Sequence, residues 1–594
     1  MQIYVIFSVG MRIYTAVFES TKEESAGQES MRYHRILKHY RISFFLVVFL
    51  FGFYSIADCM TIHAENGAES EVEADTSETE EDTGNLTFAV VDITEMSIDE
   101  LQQAVDDGYL TYEQIMLLYL ERIEAYAEMY ACLTYVSDTA VEEARECDRI
   151  YAESGRTSRI FGLPVIVKDN IDVKGMPTTN GSSYLADHIA EEDAAVIAAL
   201  KDSGAIVLAK ANMDRNAEHS QYSISDYGRV NNAFDLSKTS YGSSGGSAVS
   251  AAASLAPICI GTDTNASVRV PSSANGVVGI RPTKGLLSTE GITPLIVDRD
   301  TAGPIAKTVE DAALILSAMT GFEYDYTLTL DENALEGMRI GIVDSLANRA
   351  TGSVDTLFDE AVALLEQNGA EIVHMRFSLA SAYNCSVAGY SPVFAAAMDR
   401  YDVDVVIYPT IWGNVLSHGS AVAGSNSNGW YIPPSAGVPG ISVPMGVDEN
   451  GLPSGLEFAA RSYDEETVIA AAYAFEQALG LTLKTELAPN LYTVPESIEA
   501  LFALRDEGIC ETLAAFDEGT ELYEQVEACY DAAVGYLTTS YYDDEDASGQ
   551  AEHLLENYYN AVTVYRIAYW SSQMNDMREQ LFRIRLINAL RDAA

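Results

Sequence analysis

The chemistry this sequence can offer lies in one lysine and a group of serines. Lys168 closes the apolar run Leu163–Val167, which reads as a buried strand, and lysine is rarely buried. Asp169 and Asn170 follow it, so an ordinary ion pair at a strand edge is one reading. The other is a general base, because burial lowers a lysine pKa and a neutral amine can take up a proton. Downstream, the stretch Tyr241–Thr283 is dense in small residues and hydroxyls. Two Gly/Ser loops, Gly242–Ser247 and Gly261–Ser267, bracket an Ala-rich segment that reads as a buried helix. Glycine lets backbone approach a ligand closely, so such loops present N–H groups or a nucleophile.

The first loop contains Gly242-Ser-Ser244-Gly-Gly246, a formal match to the G-x-S-x-G nucleophile elbow with Ser244 at its centre. That elbow needs a later acid and histidine, and the candidates His374 and His418 sit in no recognisable setting. The loop also lacks the Gly-Lys-Ser/Thr ending of a phosphate-binding P-loop. A serine hydrolase that works without histidine fits these residues better.

The elements that must position them follow from periodicity and caps. Ser97-x-x-Glu100 and Thr111-x-x-Gln114 are capping boxes, and Ile115, Leu118, Tyr119 and Ile123 form an apolar helical face behind the second. Helices are expected at Asp193–Asp202, Val354–Gln367 and Glu465–Ala478. Strands are expected at Ala205–Ala209, Arg339–Val343, Glu371–His374 and Val405–Tyr408. Short apolar strands alternating with helices predict an α/β sheet covered on both faces. Beyond Pro495 the strand signal stops and helical patterns rich in tyrosine take over, with no internal repeat.

Three blocks then resemble the amidase signature family. They are Gly162-Leu-Pro-Val-Ile-Val-Lys168-Asp-Asn170 with Pro177-Thr-Thr179, Gly242-Ser-Ser-Gly-Gly-Ser247, and Gly261-Thr-Asp-Thr-Asn-Ala-Ser267-Val-Arg-Val-Pro271 running on to Thr283. Gly440–Gly446 and Gly451–Leu456 look like the family's closing strands, so the likeness spans roughly residues 92–482. The resemblance implies a large mixed, twisted β-sheet sandwiched between helices. It implies Ser267 as nucleophile, Ser243 as bridging serine after a cis peptide bond, and Lys168 as base. The N–H groups of Thr264, Asn265, Ala266 and Ser267 would form the oxyanion hole, and Met213 would line the acyl pocket. Asp263 and Arg269 are expected to buttress the nucleophile loop. No metal or organic cofactor is implied. The family usually has Gly-Gly where this chain has Asn265-Ala266; Ala266 would be strained if its φ were positive, and the added side chains would crowd the acyl group. The span between Val373 and Val405 is shorter than the family commonly has, so substrate preference does not carry over.

Composition sets the frame. Asp and Glu number 89 against 35 Lys and Arg, a net charge of −54 that repels phosphates and argues against a nucleic-acid partner. Arg32, Arg35, Lys38 and Arg41 precede the apolar run 42–57, the pattern of a signal peptide or, second, a membrane tether. The resulting division is a leader over 1–64, an acidic disordered linker over 65–90, a catalytic domain over 91–485 and a helical C-terminal extension over 486–594. Cysteines occur singly, and Cys132 with Cys147, or Cys510 with Cys529, could pair or stay as thiols. The expectation is an exported amidase, extracellular or at the cell surface, acting on a small-molecule amide. Two other readings stand beside it: the catalytic chain of a glutamyl-tRNA amidotransferase, and a non-catalytic surface protein that binds a partner through its helical end.

Overall fold

In the first helix, α1 (Ile98–Asp106), both halves of the expected capping box form: the Glu100 N–H donates to Ser97 Oγ at 3.2 Å, and the Ser97 N–H donates to the Glu100 carboxylate at 2.7 Å. Thr111 and Gln114 do the same for α2 (Tyr112–Tyr130), at 3.2 and 2.9 Å. The computed structural model describes residues 93–491 apart from 109, 378, 380–385 and 421–425, together with scattered positions between 526 and 562. The leader over 1–64, with its apolar run 42–57, and the acidic linker over 65–90 lie outside the described residues, as does most of the extension over 486–594 and the pair Cys510 and Cys529. Among the described residues no helix is long and apolar enough to cross a membrane.

The described residues build one 11-stranded mixed sheet. Its strands in chain order are β1 (Leu133–Val136), β2 (Pro164–Lys168), β3 (Ile206–Ala211), β4 (Ile258–Asp263), β5 (Val278–Arg281), β6 (Thr301–Ala306), β7 (Arg339–Val343), β8 (Glu371–Met375), β9 (Val405–Pro409), β10 (Gly440–Val447) and β11 (Pro453–Ala459). Across the sheet the order is β1-β3-β2-β4-β6-β5-β10-β11-β9-β7-β8. Strands from residues 133–306 therefore occupy one side and strands from 339–459 the other, joined along the single antiparallel seam of β5 with β10. Every residue of β2, β3, β4, β6, β9 and β11 is buried, at odd and even positions alike. That pattern requires both faces to be covered, as expected for apolar runs without alternation. The edge strand β8 is more open, and Glu371 and His374 on it face solvent.

The helices that cover it are α3 (Ala140–Ser154), α4 (Ala195–Asp202), α5 (Gly245–Ala252), α6 (Arg269–Ala274), α7 (Val309–Met319), α8 (Ser353–Gln367), α9 (Val387–Tyr401) and α10 (Glu465–Leu479). Helix α4 starts two residues after the expected Asp193. The Asp193 carboxylate instead accepts from the Lys174 N–H and from Lys201, each at 2.8 Å, and so holds the preceding loop. Strand β3 runs on through Lys210 and Ala211 because it pairs with β1 as well as β2. Strand β6 carries no strand signature in sequence, since Gly303 and Pro304 stand at its centre. Cys132, Cys147 and Cys259 are free, buried thiols, so the Cys132–Cys147 disulfide is not formed.

Candidate active site

Strands β2 and β4 are parallel neighbours, with Val167 opposite Ile260, so their carboxyl ends share one edge of the sheet. Lys168 ends β2, and the loop Thr264–Ser267 leaves the end of β4. The Gly242–Ser244 loop enters the same corner because α5 packs against β4 and β2. Such close packing depends on small residues. A Cβ on Gly246 would lie inside contact distance of the Asn212 carbonyl oxygen and 2.5 Å from that of Cys132, and both are backbone atoms.

Lys168 is fully buried, and its Nζ lies 2.7 Å from Ser243 Oγ, 2.8 Å from Thr262 Oγ1 and 3.3 Å from the Thr262 carbonyl oxygen. Burial drives its pKa from 10.5 down to about 7, against the opposing pull of the Asp263, Asp214 and Asp300 carboxylates. The contacts fit a neutral amine: two N–H bonds for the two Thr262 oxygens, and one lone pair for the Ser243 hydroxyl proton. Asn170 donates to the same Thr262 Oγ1 at 3.1 Å. The Gly242–Ser243 peptide bond is cis, at the position expected for the bridging serine.

Ser267 stands on the facing loop, and the Ser244 N–H donates to its carbonyl at 3.1 Å. Lys168 and Ser243 are 0% exposed while Ser267 retains 5%, so of the three only Ser267 touches solvent. Among the described residues the Ser267 hydroxyl has no hydrogen-bond partner, and no bond joins it to Ser243 Oγ. Nor does any described hydrogen bond use the N–H of Thr264, Asn265, Ala266 or Ser267 as donor. Ser244, the centre of the formal nucleophile elbow, is spent otherwise: its Oγ donates to the Thr262 carbonyl at 3.1 Å and accepts the Thr262 N–H at 3.2 Å. His374 pairs with Asp344 at 2.7 Å on the edge of the sheet and His418 with Asn231 at 3.1 Å, so neither meets Ser244. Met213 is fully buried, one residue before Asp214, whose N–H donates to the Ser243 carbonyl at 3.1 Å.

The departure at Asn265-Ala266 is accommodated. Neither residue has a positive φ, so Ala266 carries no left-handed strain. Its methyl joins an apolar cluster with Tyr241, Val270 and Ile411 and faces Gly429, where a Cβ would sit 3.1 Å away. Asn265 Oδ1 accepts from Arg299 Nη1 at 3.0 Å.

Beneath the loop lies a buried charge network that does buttress it. Asp263 accepts from Arg269 Nε at 3.2 Å and from Arg281 Nη1 at 2.9 Å, and Arg269 also pairs with Glu457 of β11. Burial pushes the Asp263 carboxyl up most, but Arg269 and Arg281 outweigh it and hold it below the usual carboxylate range. Two guanidinium groups facing two carboxylates balance in charge, as buried ions must. Sequence reasoning missed Glu457, Arg299 and Asp300; Glu457 meets Arg269 across 188 residues, a separation no local motif reports.

Known proteins match on the same ground. The family model described as Amidase matches residues 114–402. A glutamyl-tRNA(Gln) amidotransferase, through its A-type catalytic chain from Cyanothece sp., is 30% identical over 471 residues, 64% of this chain and 98% of that protein. The corresponding chain of Clostridium botulinum is 30% identical over 481 residues, 66% of this chain and 98% of that protein. Among solved structures, the native peptide amidase from Stenotrophomonas maltophilia aligns with a TM-score of 0.58 at 28% identity, covering 66% of this chain and 99% of that one.

Proposed function

Since this chain belongs to the amidase family, whose members hydrolyse C–N amide bonds, we propose that it does so through an acyl-enzyme on Ser267. The observation that carries this reading is the buried, neutral Lys168 in hydrogen-bond contact with Ser243. Lys168 takes the Ser243 proton as Ser243 takes that of Ser267, and Ser267 Oγ bonds to the amide carbonyl carbon. The N–H groups of Thr264, Asn265, Ala266 and Ser267 receive the oxyanion; one such donor is typically worth about 3–4 kcal/mol. On collapse the C–N bond breaks and the amine leaves with a proton from Ser243, which is refilled from Lys168. Water then attacks the ester by the same relay and releases the acid. The relay needs the Ser243–Ser267 hydrogen bond, and catalytic hydrogen bonds commonly tighten only when substrate is bound.

A fluorophosphonate probe tests the assignment. Labelling should fall on Ser267, vanish in Ser267→Ala and persist in Ser244→Ala. A protein that takes no label would point to the non-catalytic binding role. The amide itself is best sought among peptide amides, aryl amides and fatty acyl amides. Export to the cell surface or beyond is part of the same proposal, supported by the basic residues before the apolar run 42–57 and by the net charge of −54. Fractionation of cells expressing the full chain tests it, and a wholly cytoplasmic product would count against it.

A second reading has its own support, since relatives 30% identical to this chain are chains of glutamyl-tRNA(Gln) amidotransferases. On that reading the chain hydrolyses glutamine for partner proteins of the same complex. Glutamine turnover exceeding that of every other amide in the panel, with capture of those partners, would favour it.

A further inference from the structure

We propose that Arg299, acting through Asn265, is a positioning residue that aims the N–H groups of the nucleophile loop at the reacting carbonyl. The proposal rests on the reading of Ser267 as nucleophile. Two adjacent side chains of that loop are tied to two adjacent residues before β6: Arg299 Nη1 donates to Asn265 Oδ1 at 3.0 Å, and Thr264 Oγ1 donates to Asp300 Oδ1 at 2.6 Å. The anchor is itself fixed. Asp300 accepts the N–H groups of Leu295 and Ile296, each at 2.9 Å, and the Arg299 carbonyl accepts from Arg281 Nη2 at 2.6 Å. Arg299 and Asp300 are each only 7% exposed.

The backbone of Asn265 is held as well. Its carbonyl oxygen accepts from Arg269 Nη2 at 3.2 Å. A peptide unit is planar, and in its trans form the C=O and the following N–H point in opposite directions. Gripping the Asn265 oxygen from below therefore aims the Ala266 N–H the other way, out of the charge network. The side-chain tether to Arg299 fixes the same residue at a second point. A glycine at position 265 would have the first restraint and lack the second, and would be freer to rotate. The asparagine that departs from the family's Gly-Gly thus takes over part of the loop's orientation.

The test compares Asn265→Ala, Arg299→Leu, their double and Arg299→Lys in the full chain. It reads the rate of fluorophosphonate labelling of Ser267, the kcat and KM for the best amide of the panel, and Tm. Mispositioned donors should slow labelling and kcat about 10–100-fold with KM unchanged. The double should lose no more than the worse single, because both remove one interaction. Arg299→Lys, which keeps a donor, should recover part of the rate. Rates within about twofold of the parent in Asn265→Ala, or losses that multiply in the double, would overturn the proposal. Losses that track a falling Tm, without rescue by lysine, would also overturn it, since they mark a stability role alone. Label that survives Ser267→Ala would overturn the nucleophile assignment, and this proposal with it.

Discussion

The decisive residue is a lysine held where a lysine does not stay charged. With its pKa at about 7, Lys168 is neutral above that value and takes up a proton as pH falls through it. The base is the neutral form, so the labelling rate should drop about tenfold per unit below pH 7 and level off above it. Rates followed between about pH 5 and pH 9, with Tm at each point, would show this; a flat profile in folded protein would exclude Lys168 as base. The neighbouring serines make a second contrast. Ser243→Ala removes the only hydroxyl on Lys168 besides that of Thr262 and should slow labelling about a hundredfold or more. Ser244→Ala should leave labelling intact and cost about 1–2 kcal/mol in urea unfolding, for the two bonds it makes with Thr262. Loss of labelling in Ser244→Ala alone would restore the G-x-S-x-G reading.

At the scale of elements, the site depends on how closely α5 lies against β3 and β4. Gly246→Ala should destabilise the protein by about 3 kcal/mol or more, because the new methyl meets backbone oxygens of Asn212 and Cys132 that cannot step aside. Denaturant unfolding measures this, and a change below about 1 kcal/mol would mean that the helix shifts freely. Much of this scale was readable in the sequence. Both capping boxes form, β7 has the expected ends, and the three blocks bring Lys168, Ser243 and Ser267 to one edge of the sheet. The unreadable parts share a physical cause. Arg299 finds Asn265 across 34 residues and Glu457 finds Arg269 across 188, and such pairings are made by sheet order, which no local pattern encodes. The φ of Ala266 likewise depends on its loop's surroundings, and only the fold shows that it is unstrained.

For the whole molecule, the net charge of −54 sets the response to its medium. Self-repulsion at that charge disfavours the compact state and is screened by salt, so Tm should rise by a few degrees between about 10 and 200 mM NaCl. A Tm that falls over this range would show that specific ion pairs outweigh the net charge. The sheet order carries a further consequence. Because residues 133–306 and 339–459 hold separate sides of the sheet, a single cut in the exposed turn Asp331–Asn333 would leave two pieces, each with an uninterrupted set of strands. The nucleophile would lie on one piece and Glu457, which braces Arg269 behind it, on the other. Ser267 labelling would then serve as a reporter of fragment complementation, absent from either piece and restored when the two are refolded together. Labelling by the first piece alone would show that half a sheet suffices to build the nucleophile.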